Sequence, residues 1–375
     1  MQNINILHFF NFLASNPMRK MTFLFFSGLL SISLGWSAEV SQTILVTGGA
    51  GYIGTQTCKA LEEAGFVPII YDNFSRSQNV GLHWGVVEKG DIADRKRLTE
   101  VIDKYRPVAV VHFAGFKAVG ESIQDPVKYY LNNLCGSVVL LDVMKEKGMN
   151  KIIFSSTGSA YGIAEAGKPF QEDQRCDPIN PYGTSKWMVE KILNDFKLAY
   201  GFHYVIFRYF NVAGADLKGK CGERGTTPHN LIPIILQVAS EKRKELEVFG
   251  SDYPTPDGTA IRDYIHVVDI ADAHVKALRY LLLEKPSVTL NLGTGSGASV
   301  SQVVSIARTI TKKEIPIRIV PRRMGDPPSM TADNHLAREL LNWEPKNSDL
   351  KTIIESEWKW NQSPERLLSN YTQRD

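Results

Sequence analysis

Between Thr43 and about Phe210, short apolar runs rich in Val and Ile alternate with longer stretches whose apolar residues recur at helical spacing. The short runs fall at residues 43–47, 67–71, 108–113, 151–155 and 204–208. Too brief for helices and without polar alternation, they read as strands buried on both faces. Residues 56–64, 92–105, 132–147 and 185–200 lie between them and read as helices. Strand followed by helix, repeated, predicts an α/β fold in which helices cover both faces of a doubly wound parallel sheet.

After Asn211 this regularity stops. Residues 214–228 are rich in Gly and charge and read as a loop. A helix is predicted over about 231–242, followed by a turn-rich stretch at 251–258. Non-periodic insertions of this kind are where a smaller, C-terminal substrate-binding lobe would sit. The chain therefore divides into a first domain over 41–212 and a lobe over 213–375, with segments near 264–292 available to return to the first. No internal repeat or low-complexity tract suggests a solenoid or a disordered scaffold.

Residues 1–40 follow another logic. Arg19 and Lys20 precede an apolar run over 22–36, and the small residues Ser37 and Ala38 follow, which is the order of a secretory signal. The run is short for a membrane span, so no stable membrane association is expected. Trp36 fits a cleavage site poorly. We read the segment as a signal-like or unstructured extension ahead of a cytoplasmic protein.

Composition narrows the classes. The 375 residues are 43% hydrophobic, enough for a large core. Forty-three Lys plus Arg against 40 Asp plus Glu leave a net charge of +3 without like-charge blocks, so no nucleic-acid partner is expected. Cys58, Cys135, Cys176 and Cys221 are far apart and lack metal-ligand spacing, which argues against structural zinc and a disulfide framework. Free thiols and no bound metal are expected.

Directly after the first strand stands Thr47-Gly48-Gly49-Ala50-Gly51-Tyr52-Ile53-Gly54, then a helix. Without side chains at those glycines, backbone N–H groups can approach a pyrophosphate at a helix N-terminus. Asp72 closes the second strand at the spacing of an acid that binds the adenosine ribose hydroxyls. Its charge would repel a 2′-phosphate, so NAD rather than NADP is the implied cofactor. Together these make the parallel sheet Rossmann-type. Asp91 and Ile92 would sit beside the adenine, and Phe113-Ala114-Gly115 would line the cofactor cleft. Singly, each is as readily a helix cap or a tight turn.

Tyr182-Gly183-Thr184-Ser185-Lys186 sets a phenol and an ammonium four residues apart, on one face of a helix. Tyrosine ionises near pH 10 when unperturbed, and a neighbouring ammonium favours the phenolate. Ser155-Ser156-Thr157 ends a strand, where catalytic groups of open α/β sheets collect. Thr157 would bond a reacting sugar oxygen and relay its proton to Tyr182. Helix packing and helix capping account equally well for either feature alone.

In combination these segments resemble the extended short-chain dehydrogenase/reductase family, from Thr43 to the C-terminal region. The likeness also rests on His112-Phe113-Ala114-Gly115-Phe116-Lys117-Ala118-Val119-Gly120-Glu121-Ser122, Arg208-Tyr209-Phe210-Asn211, Asp257-Gly258-Thr259 and Arg262-Asp263-Tyr264-Ile265-His266-Val267. What the resemblance implies is an NAD-dependent isomerase that interconverts UDP-galactose and UDP-glucose through a transient 4-keto sugar. It makes Tyr182 the base, Lys186 the ribose anchor and Thr157 the relay. Gly48, Gly51, Tyr52, Ile53, Gly54, Asp72, Asn73, Asp91, Ile92, Phe113, Ala114, Gly115, Lys117, Asn132 and Phe210 would bind the cofactor. For the UDP-sugar it implies Asn211, Asn230, Leu231, Arg262, Arg323 and Asp326 about the diphosphate, and Val248 and Phe249 near the uracil.

Three alternatives stay open at this point. A sugar 4,6-dehydratase shares the first step but needs acids after the strand-end threonine, where this chain has Gly158 and Ser159. A dinucleotide sensor without turnover has no need of Thr157, Tyr182 and Lys186 together. Substrates of an isomerase could instead be UDP-N-acetylhexosamines: Met330 would crowd an N-acetyl group if it lay beside the sugar, and would only pack the core otherwise. The resemblance also suggests a homodimer, and the apolar helix near 129–147 would suit pairing or plain burial.

Overall fold

Seven strands build the sheet that carries the glycine loop. They are β1 (Thr43–Thr47), β2 (Val67–Asp72), β3 (Val86–Lys89), β4 (Ala109–His112), β5 (Lys151–Thr157), β6 (His203–Tyr209) and β7 (Val288–Leu292). The computed structural model describes residues 42–77, 81–163, 168–224, 230–323 and 326–366, so the signal-like segment 1–40 lies outside the described residues. The strand order is β7-β6-β5-β4-β1-β2-β3, with every neighbour parallel.

Helices flank this sheet on both sides because its strand residues are apolar on both faces. On one side Ile44, Val46, Val111, Ile153 and Val205 meet α1 (Tyr52–Glu63) and α6 (Val267–Leu282). On the other, Leu45, Val110, Ile152, Phe154 and Ile206 meet α2 (Arg95–Tyr105), α3 (Gly136–Glu146) and α4 (Pro181–Tyr200). Successive strand residues point to opposite faces, so a continuous apolar run supplies both cores at once. Chain direction diverges between β1 and β4, which places a cleft at their carboxyl ends.

Pairing runs further than the apolar pattern does. β5 continues through Ser156 and Thr157, which pair with Arg208 and Tyr209 of β6. β3 reads poorly in sequence because it is a four-residue edge strand carrying Glu88 and Lys89. The helix expected over 132–147 begins earlier and is irregular: an α-helical turn at Pro126–Tyr129 leads through a π-helical stretch at Tyr130–Cys135 into α3. The helix expected from 185 starts at Pro181, because the Asn180 carbonyl side chain caps it by accepting the Gly183 N–H at 2.9 Å.

A third core joins α5 (Leu231–Ala239), α7 (Val300–Thr311) and α8 (Leu350–Asn361). Around it, Leu246–Phe249 pairs with Ile317–Val320, and Ile261–Arg262 lies between Ala298–Ser299 and Ser329–Met330. No helix among the described residues is long and apolar enough to cross a membrane. All four cysteines are free thiols, and only Cys135 is exposed.

Candidate active site

At the end of β1 the backbone turns sharply. Gly48 has φ +69°, and a Cβ there would lie 2.6 Å from the Ala114 nitrogen. A Cβ on Gly54 would overlap the Gly48 carbonyl oxygen. Glycine is thus required for the loop to nest against β4 and α1. Gly51 caps α1 without a side-chain hydrogen bond, so the first N–H groups of that helix, from Tyr52, Ile53 and Gly54, face a site suited to an anion. Asp72 is buried beside this loop: Oδ2 accepts the Ala50 N–H at 3.1 Å, and Oδ1 accepts Phe74 N–H and Ser77 Oγ–H, each at 2.8 Å. The Asn73 amide donates to Asp91 Oδ2 at 2.7 Å, and Ile92 is buried next to it. These groups form one continuous rim from the glycine loop to the head of α2. A glycine cradle, an uncapped helix N-terminus and a carboxylate fit a dinucleotide with a free ribose diol.

The opposite wall is the segment after β4. Phe113 and Ala114 N–H groups both donate to the Thr47 carbonyl, at 2.9 and 3.1 Å. Asn133, in the π-helical stretch, clamps the next residue: Oδ1 accepts the Phe116 N–H at 2.8 Å, and Nδ2 donates to the Phe116 carbonyl at 3.0 Å and to Ser185 Oγ at 3.3 Å. Asn132 donates to the same Asn133 oxygen at 2.9 Å. Lys117 pairs with Glu223 at 2.9 Å, with its ammonium 5.8 Å from the centre of the Tyr52 ring.

His112 locks this wall to the glycine loop. Ser137 Oγ donates to the Asn133 carbonyl, so it accepts from His112 Nε2 at 2.8 Å, which leaves Nδ1 to accept from Thr47 Oγ1 at 2.6 Å. Burial, and secondarily the nearby Lys186 ammonium, push its pKa down to about 3, so the imidazole stays neutral.

Thr157, Tyr182 and Lys186 converge at the mouth of this cleft. Thr157 is the last residue of β5 and hydrogen-bonds the Tyr182 phenol. Burial raises the Tyr182 pKa while the Thr157 bond opposes the rise. Lys186 is 5% exposed, stands 4.9 Å over the Phe154 ring and has no carboxylate partner among the described residues. Its pKa is pushed down to about 8 by burial. A Cβ added to Gly115 would sit 3.0 Å from its ammonium, so the cleft-lining segment closes directly on the lysine. Below, Ser156 donates to Glu190, which also pairs with Arg208, and this buried group holds the end of β5 against α4.

The UDP-sugar candidates are more dispersed. Phe210 packs on Gly158, and Asn211 opens a short strand paired with Tyr264–His266. Asn230 and Leu231 stand at the N-terminus of α5, which has no side-chain cap. Arg262 forms an ion pair with Asp326, and the Arg323 guanidinium lies 3.7 Å from the centre of the Phe249 ring, a cation–π contact. Val248 is buried in the third core, so Phe249 alone of that pair carries the arginine. Met330 pairs in register with Arg262.

Residues 44–293 match the model of the NAD dependent epimerase/dehydratase family. The chain belongs to that family. One relative is the UDP-glucose 4-epimerase of Rhizobium leguminosarum bv. trifolii, 45% identical over 319 residues, which span 85% of this chain and 97% of that protein. Among solved structures, the UDP-glucose 4-epimerase from Brucella ovis in complex with NAD matches with a TM-score of 0.82 at 44% identity, covering 84% of this chain and 97% of that one. The Bifidobacterium longum enzyme in complex with NAD+ and UDP matches with a TM-score of 0.82 at 39% identity, covering 87% and 100%.

Within the frame of this epimerase/dehydratase family, three residues of the site escape a reading of motifs. Asn133 acts through the Phe116 backbone and His112 through the Thr47 and Ser137 hydroxyls, partners well separated in sequence, and an asparagine in an apolar helix carries no signal of its own. Asp263 accepts from Thr294 N–H, Thr294 Oγ1–H, Gly295 N–H and Ala332 N–H, and so ties two segments, at 294–295 and at 332, to the strand of Arg262. Its place in the Arg262-Asp263-Tyr264 motif was the only available hint.

Proposed function

We propose that this chain interconverts UDP-galactose and UDP-glucose, the activity named for its relatives, with NAD retained through the whole cycle. The observation that carries the reading is the convergence of a buried ammonium, a phenol and a strand-end hydroxyl beside a cleft built for a dinucleotide.

Gly48, Gly51, Tyr52, Ile53 and Gly54 would hold the pyrophosphate, Asp72 the adenosine ribose, and Asn73, Asp91 and Ile92 the adenine. Phe113, Ala114, Gly115, Lys117, Asn132 and Phe210 would line the remaining length. Held there, NAD would supply the hydride-accepting and hydride-donating chemistry at C4 of the sugar. Thr157 bonds the 4-hydroxyl and passes its proton to Tyr182 Oη, and the buried Lys186 ammonium offsets the phenolate charge. On return, Tyr182 gives the proton back to the oxygen at C4, so no net proton is consumed. The sugar must turn over between the two transfers, so firm binding belongs on the nucleotide. Arg262, Arg323, Asp326, Asn211, Asn230 and Leu231 would take the diphosphate side and Phe249, backed by Val248, the uracil. Gly158 and Ser159 offer no acid for elimination of water, which favours epimerisation over dehydration.

Residues 41–212 then form the NAD-binding domain and most of 213–375 the UDP-sugar lobe, with β7 completing the sheet of the first. Ile123, Val127 and Leu131 are 63%, 63% and 60% exposed on three consecutive helical segments, and these exposed apolar side chains favour a homodimer. The substrates are cytoplasmic metabolites, and we place the enzyme in that compartment.

The test is incubation of the purified protein with UDP-galactose and no added NAD. Formation of UDP-glucose is expected. A 4-keto-6-deoxy sugar or no turnover would overturn the reading, and activity confined to the N-acetylated pair would overturn the choice of hexose.

A further inference from the structure

The loop after Phe210 does more than join two lobes. Between Gly214 and Arg224 it forms a strap held on two sides. On the side of α1, Tyr52 Oη donates to the Gly214 carbonyl, Lys59 pairs with the buried Asp216, and the Cys221 thiol donates to Gln56 Oε1 at 3.1 Å. Toward α8, Gly214 N–H donates to Glu357 Oε2 at 3.1 Å, Ala215 N–H to Ser356 Oγ at 3.0 Å, and Trp360 Nε1 to the Glu223 carbonyl at 3.0 Å. Asp216 also accepts Lys218 and Lys220 N–H groups, at 3.1 and 3.2 Å, which fixes the turn of the strap itself. The backbone at Glu223 is therefore set by the C-terminal helix, and the glycine-loop helix is set against the same strap.

That arrangement presents the Glu223 carboxylate to the Lys117 ammonium at 2.9 Å, with the Arg366 cation near enough to act on the same carboxylate. Lys117 is 57% exposed on a flexible stem, whereas Glu223 is 22% exposed on a pinned backbone. Of the pair, the glutamate is the fixed member and the lysine the guided one. One of the three ammonium protons is committed to Glu223, and two are free to meet an anion at the glycine loop.

We infer that Glu223 is a positioning residue, which presents the Lys117 ammonium to the dinucleotide and so slows release of NAD. This rests on the proposed assignment of the cleft to NAD. Glu223 also brings a negative charge near a diphosphate, which by itself weakens binding. The two effects have opposite signs, and they separate when Lys117 is removed.

The experiment measures exchange of bound NAD against labelled NAD in the full-length protein, for wild type, Glu223→Gln, Lys117→Met and the double variant. A partly exposed ion pair of this kind supports an effect of up to about five-fold. Glu223→Gln is expected to speed NAD release about two- to five-fold in the wild-type background, and to leave it unchanged or slow it in Lys117→Met. Equal effects of Glu223→Gln in the two backgrounds, no effect in wild type, or slower release from Glu223→Gln alone would overturn the inference. Glu223→Gln retains the carbonyl that Trp360 bonds, and an unchanged thermal midpoint verifies that the strap is intact. Wild-type protein that binds no NAD would instead overturn the cofactor assignment on which the inference rests.

Discussion

Glu357, the α8 carboxyl that holds the strap at Gly214, is strongly perturbed, and its replacement by Gln gives a prediction whose size follows from the structure. The side chain is 4% exposed, and one oxygen accepts the Gly214 N–H. Burial, reinforced by nearby Glu223, pushes its pKa from 4.5 up to about 8. An unfolded chain loses this proton near pH 4.5 and the folded chain keeps it until about pH 8, so in that window the native state binds the extra proton. The group's contribution to stability is therefore complete below pH 4.5 and is lost as pH rises toward 8, at about 1.4 kcal/mol per pH unit. Between pH 5 and pH 8 the loss integrates to about 3–4 kcal/mol. Gln has nearly the same shape, can still accept from Gly214 and does not titrate. The stability of Glu357→Gln relative to wild type should thus rise by about 3–4 kcal/mol from pH 5 to pH 8. Urea unfolding of both proteins at saturating NAD, at each pH unit from 5 to 8, checks it, the cofactor concentration being matched because bound ligand adds its own stability. A difference independent of pH, or one that narrows as pH rises, would refute the reasoning.

Three further outcomes are expected. Tyr182→Phe removes the proton acceptor and should slow UDP-hexose interconversion by about 10²–10⁴-fold. It should cost only about 1 kcal/mol of stability through the lost Thr157 bond, measured by thermal unfolding. Lys186 loses its charge as pH rises through about 8, so kcat/KM should decline above that pH and the decline should be absent in Lys186→Met; matching profiles would remove its electrostatic role. Gly54→Val forces a side chain onto the Gly48 carbonyl, and the purified variant should carry no NAD by absorbance or enzymatic assay of the released cofactor.

The parts of the site that were legible in the sequence share one property: their meaning lies within a few residues. Gly48 to Gly54 must be glycine-rich because the turn folds back on itself. Tyr182 and Lys186 lie four apart on α4, and helix geometry alone sets them on one face. Strands β1, β4 and β5 are apolar on both faces because helices cover both. β3 was obscure for the complementary reason: it is an edge strand with Val86 and Lys89 exposed, and its buried position is Glu88, which is held by Arg97, Lys104 and Tyr105 of α2, partners that the strand's own sequence does not show. The π-helical stretch that turns Asn132 and Asn133 toward Phe116 has no local signature either, because it depends on packing between helices.

Local pattern by itself therefore determined the parallel sheet, the dinucleotide loop and the chemical types at the reacting end: a phenol, an ammonium and a hydroxyl. Only the tertiary structure decided what surrounds them. Glu223 meets Lys117 across 106 positions of sequence, and Glu357 meets Gly214 across 143. Hydrogen bonds and burial at such separations depend on where whole helices come to rest, and it is these that set the ammonium of Lys186 in a dry site, hold His112 neutral and tie the last helix to the first.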